Sequence, residues 1–213
     1  MVYYRWGLYL IGLFIFSLGV SITIKVQYLG LHPWDVLNVS LYKKVGLSIG
    51  TWNVIIGIAL ICITLLLDKS YIKLGTFFNT IAVGLFVDLF LWIDLLPSTT
   101  FSWIDILFMI IGIVLMGIGA GINNAAHVGS GPRDGLILSI SNKLFVPIRR
   151  VRIIIESAIL LIGLSLGGPV FVFSFIFTFI QSPLFQFFYL TFSKIMDKLE
   201  LELENKSLKG KIG

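Results

Sequence analysis

Charge is scarce in this chain. Asp, Glu, Lys and Arg make up 13% of its 213 residues, against an apolar share of 57%. Soluble domains carry roughly 25% charged residues. A water-soluble fold of this length could not hide so much apolar surface, and the mean hydropathy of +0.99 points the same way. Cysteine is nearly absent: Cys62 stands alone in an apolar run. It has no disulfide partner within the chain and no metal-ligand spacing, so redox chemistry is not indicated. There are two histidines, and no phosphate-binding glycine loop or Ser/His/Asp arrangement is visible. We therefore expect no enzyme, no catalytic residue, no cofactor and no metal. The net charge of +5 comes from basic residues spread through loops and the tail. Nucleic-acid binding needs them clustered on one face, so no nucleic-acid partner is expected.

What the chain has instead is long uncharged runs. A bilayer core of about 30 Å needs roughly 20 helical residues at about 1.5 Å each. Six segments meet or approach that length: 6–26, 49–67, 72–93, 104–125, 149–166 and 170–192. The first run, Trp6 to Ile24, is longer than a signal-peptide core and is read as a retained span. The uncharged stretch Ser157 to Phe192 is too long for one crossing. It is split at Gly167-Gly168-Pro169, a sequence suited to a tight turn. Segments 33–45 and 132–144 carry charges and are too short to cross. They are expected to be interfacial or re-entrant helices. The charged tail, 194–213, should extend the last helix a little and then fray.

Loop charge gives the orientation. With the N-terminus in the cytoplasm, only Lys25, Lys43 and Lys44 of the 16 Lys and Arg residues fall outside. That bias predicts both termini inside. An internal repeat is also visible. Gly30-Leu31-His32-Pro33-Trp34-Asp35-Val36-Leu37 and Gly129-Ser130-Gly131-Pro132-Arg133-Asp134-Gly135-Leu136 match in Gly, Pro, Asp and Leu at an offset of 99, and Lys44 and Lys143 keep the register. Each half then holds three crossings and one short helix: 1–98 and 99–193. Three is odd, so the second half enters from the opposite side. Paired interrupted segments in inverted halves mark the substrate region of many secondary transporters. Duplication giving only a stable bundle is the other reading.

These residues resemble the YczE/YyaS/YitT family of bacterial membrane proteins. The resemblance rests on Pro33-Trp34-Asp35-Val36-Leu37, on Gly129-Ser130-Gly131-Pro132-Arg133-Asp134-Gly135-Leu136, on Arg152, Glu156, Gly167 and Gly168, and on Gly75, Thr76 and Asp88. It covers nearly the whole chain short of the tail. Phe171, Phe173 and Ser182 depart from the family pattern in the last span. The resemblance implies a multi-pass protein of the bacterial cell membrane and implies no activity.

The candidate polar lining of a central site is Glu156, Arg152, Asp88, Asp35 and Asp134, with Arg149 on the same helix face. Asp35 and Asp134 follow a proline at a helix start. There an acid can bind a cation or proton, or simply complement the helix dipole. Glu156 is expected about 10 Å along its helix, where a carboxylate needs a partner. Arg152, one turn back, is the expected one. Arg149, Arg152 and Glu156 share a face at i, i+3, i+7. Thr76, Thr80, Gly84 and Asp88 form a small, polar stripe that should face helices or a cavity, with Asn79 beside it; Asp88, nearer the outer end of its span, could instead snorkel to the interface. Asp94 and Asp105 flank a loop and are expected to be solvated. Ser174, Thr178 and Ser182 should bond within the bundle, with Gln181 and Gln186 nearby. Asn123, Asn124 and His127 could line a cavity mouth, while His32 reads as isolated. Gly30 and Gly129 suit positive φ. Gly117 with Gly121, and Gly163 with Gly167, have the spacing of close helix contacts.

The expectation is an all-α polytopic bundle of about six spans in the lipid bilayer, acting as a small secondary transporter or exporter of a small molecule or ion. Glu156 would be its coupled carboxylate. The alternative is a non-transporting scaffold, sensor or regulator working with a membrane-protein partner or as a homo-oligomer. Its basic loop, Arg133 to Arg152, could dock a partner or anionic lipid heads.

Overall fold

A computed structural model describes the backbone of residues 2–93, 99 and 101–212, and the side chains of these except 178, 182 and 202–212. Eight α-helices follow in order among the described residues: α1 (Val2–Lys25), α2 (Pro33–Val45), α3 (Ile49–Leu67), α4 (Leu74–Ile93), α5 (Trp103–Ala125), α6 (Pro132–Leu144), α7 (Ile148–Ser165) and α8 (Val172–Ile212). Single 3-10 turns join α1 to α2 and α3 to α4. Asp94 lies outside the described residues.

Among the described residues, five helices are long and apolar enough to cross a membrane: α1, α3, α4, α5 and the Val172–Leu201 part of α8. The expected fifth span, α7, has 18 residues but carries Arg149, Arg150, Arg152 and Glu156. It therefore falls short by composition, not by length. Large apolar side chains such as Ile55, Ile58, Leu66, Leu85, Phe175 and Phe179 stand on the outer surface. An exterior of that kind belongs in lipid.

The short helices begin and end where the sequence placed them. Pro33 and Pro132 each open a helix, where the missing N–H costs nothing. The starts of α2 and α6, and those of α3 and α7, lie 99 residues apart. The packing is crosswise. Helix α2 lies on α7, α6 lies on α3, and α1 and α5 pack along one another. That last contact is close because a Cβ on Gly12 would meet the Gly119 carbonyl at 2.9 Å, and one on Gly19 the Gly112 carbonyl at 2.7 Å.

Four expectations need correction. The tail does not fray: α8 runs unbroken to Ile212. Apart from Gly210 the segment after Lys194 is rich in Leu, Glu and Lys, all good helix formers. Glu200 also pairs with Arg5 at 2.9 Å, joining the start of the tail to the start of α1. Asp105 is buried, not solvated: it accepts from the Tyr28 hydroxyl at 2.7 Å and the Phe101 N–H at 2.8 Å. That bond raises the Tyr28 phenol above its ordinary pKa. Gly167, at φ +81, serves the turn after α7 rather than a helix contact, whereas Gly117 and Gly121 do pack, against Leu184 and Phe188. Gly30 has φ +112 but Gly129 is not in the positive region; it lies tight against the Thr76 N–H instead.

Candidate functional site

The first turns of α2 and α6 come together around one cavity of about 110 Å³. Trp34 and Arg133, which lie 99 residues apart, stack with the guanidinium 5.3 Å from the ring centroid. Arg133 also donates from Nη2 to Asn53 Oδ1 at 2.9 Å and lies 3.7 Å from Asp35 Oδ1. Asp35 is 2% exposed, and its Oδ2 has no hydrogen-bond partner. So Asp35 is more than a dipole complement: it is a buried counter-ion for the other half's arginine. Buried charges hold only when paired and hydrogen-bonded.

Helix α7 adds the second set. Arg152 donates from Nη2 to Asp134 Oδ1 at 2.9 Å. The expected Arg152–Glu156 pair is thus replaced by a bond to the neighbouring helix. Among the described residues, the closest basic group to Glu156 is His32, with Nε2 3.9 Å from Oε1. Glu156 is 5% exposed. The His32 ring meets Phe177 edge-on, at 5.8 Å between centroids. The remaining wall comes from Phe16 of α1, Asn79 and Thr80 of α4, Asn123 and Asn124 of α5, and Gln181 and Phe185 of α8.

Four of the six sequence candidates meet here: Glu156, Arg152, Asp134 and Asp35. Asp88 does not. It accepts from the Ser48 hydroxyl and from the Gly50 N–H at 2.8 Å, and so holds the start of α3. Arg149 is exposed on the first turn of α7. His127, also exposed, is not on the cavity wall, although Asn123 and Asn124 are. The Ser174 hydroxyl bonds the Leu31 N–H at 3.0 Å, as expected of a bundle contact. The residues that pattern missed are His32, Trp34, Asn53 and the phenylalanines. His32 and Trp34 carried a signal in lying next to a repeated Pro-x-Asp; Asn53 carried only its polarity in an apolar run.

The chain matches, over residues 3–190, the family described as a family of unknown function (DUF6198). It belongs to that family. It is 37% identical over 166 residues to the uncharacterized membrane protein YczE of Bacillus subtilis, covering 78% of this chain and 76% of YczE. It is 36% identical over 166 residues to the uncharacterized protein YyaS of the same organism, covering 76% and 81%. An uncharacterized protein of Haemophilus influenzae is 34% identical over 161 residues, covering 76% and 72%. The resemblance read from the paired motifs is thus the family's own. No solved structure matches the chain.

Proposed function

We propose that the protein is a small secondary transporter of the bacterial cell membrane whose solute site is the charged cavity. One observation carries this reading: Arg133, Asp134, Arg152 and Glu156 line a cavity inside a bundle with an apolar exterior. Ionisable groups within membrane bundles are costly and generally serve solute or ion pathways. With α7 counted as the sixth crossing, the crosswise packing of α2 on α7 and α6 on α3 supports two halves threaded in opposite senses, 1–98 and 99–193, with both termini cytoplasmic. In carriers of that plan the interrupted segments flank the substrate. Here they are the short helices led by Pro33 and Pro132. Glu156 acts as the coupled carboxylate. Arg152 steadies Asp134 at the cavity rim.

The test is solute-dependent current from reconstituted protein on a supported membrane, across a panel of small metabolites. Wild type should respond to at least one solute, and Glu156→Gln should abolish the response. A silent panel from monodisperse protein, with a second protein co-purifying in fixed ratio, would favour the scaffold or sensor reading.

A further inference from the structure

We propose that the cavity binds a small organic cation that carries N–H groups, such as a protonated primary amine. This names the solute class of the site above and so rests on that reading. Two carboxylates, Asp134 and Glu156, line the cavity with two guanidiniums, Arg133 and Arg152, and a third carboxylate, Asp35, lies 3.7 Å behind Arg133. Burial, with Arg133 and Arg152 nearby, holds the His32 imidazole well below its ordinary pKa, so it is neutral at pH 7 and does not restore the balance. Both guanidiniums are committed. Arg133 is held by Asn53, Asp35 and the Trp34 face, and Arg152 by Asp134. Glu156 is the carboxylate left without a guanidinium, and a cation in the cavity would be its counter-ion, since a buried charge without one is strongly unfavourable.

A second observation is independent of the charges. Asn123 Oδ1, Gln181 Oε1 and His32 Nδ1 are buried without hydrogen-bond partners, and all three residues line the cavity. Asn123 is 4% exposed and His32 8%. Two of these atoms are carbonyl oxygens, so the missing partner is a donor. The walls add Phe16, Phe177 and Phe185. Aromatic faces attract cations and offer an anion nothing. An anionic solute would need a guanidinium to itself. The cavity of about 110 Å³ suits a solute of fewer than about ten heavy atoms, given about 10–15 Å³ for one water.

The experiment is titration calorimetry on the full chain in nanodiscs, with ethylammonium, tetramethylammonium, acetate and inorganic phosphate as probes. Ethylammonium should bind. Tetramethylammonium, lacking N–H groups for Asn123 and Gln181, should bind about tenfold more weakly. The anions should not compete. Glu156→Gln should remove ethylammonium binding. Should that variant fail to fold, Asn123→Ala decides, because it should weaken ethylammonium several-fold and leave tetramethylammonium unchanged. The inference is overturned if ethylammonium does not bind intact protein, if acetate or phosphate binds in preference, or if Asn123→Ala changes neither cation. Binding without flux in proteoliposomes would uphold the cation site and remove the transporter. Flux of an anion alone would keep the transporter and remove the cation.

Discussion

The seam between α3 and α4 is closed, and the seam between α7 and α8 is not. In the first, Gly50 lies against the Gly84 carbonyl and the Asp88 carboxylate, and Gly57 lies against the Thr80 side chain. The two helices pack along one another. Ninety-nine residues on, the same places hold Arg149, Pro183, Phe187 and, for Gly57, Glu156. There α7 packs mainly on α2, and α8 on α5. Small residues let helices approach closely; long charged ones and a helix-interior proline keep them apart. One arrangement of helices thus gives a sealed wall or a charged cavity, according to what stands on the seam. The trade recurs at the crosswise contacts. Gly163 of α7 receives Val36 of α2, while at the equivalent positions Gly135 of α6 faces Thr64 of α3.

The most damaging way to break this contrast is to move the open seam's residue into the closed one. Gly57→Glu would drive a side chain into Thr80 and bury a charge, costing at least about 3 kcal/mol. Glu156→Gly, the reverse exchange, should leave a folded protein that no longer binds its solute. Thermal unfolding and monodispersity in detergent check both. Next in size is the pair of repeated aspartates. Asp35→Ala strips Arg133 of its buried carboxylate and should cost about 3 kcal/mol. Asp134→Ala removes a carboxylate that is 30% exposed and should cost about 1 kcal/mol or less. Equal losses in melting experiments would show that the two halves are not chemically distinct. The smallest effect separates the glycines. A Cβ on Gly163 would meet Val36 Cγ1 at 2.7 Å, so Gly163→Ala should cost about 1–3 kcal/mol and be partly relieved by Val36→Ala. A Cβ on Gly135 meets nothing nearer than 3.6 Å, so Gly135→Ala should be neutral or stabilise by up to about 1 kcal/mol.

Much of the architecture was legible because its signals are local. A proline followed by an acid set the starts of α2 and α6, and the charge-free run 49–67 matches α3 to the residue. The site was only half legible, because a helical stripe says which residues share a face and not which helix they meet. Asp88 shares a stripe with Thr80, but two turns farther along it reaches the start of α3 instead of the cavity. Arg149 shares a face with Arg152 and Glu156, yet it stands on the first turn of α7 and is exposed. Asp105 read as a loop flank because its partner, Tyr28, lies 77 residues away. One further signal was present at the offset of 99: a glycine in one half facing a glutamate in the other, Gly57 and Glu156.

The central claim, that the halves run through the membrane in opposite senses, is tested most directly by labelling the ends of the short helices. Cysteines placed at Lys43 and Lys143, both exposed, would be probed in a Cys62→Ser background with an impermeant maleimide on intact cells. The account predicts that position 43 reacts at once and position 143 only after the membrane is permeabilised. Reaction of both from the same face would contradict it.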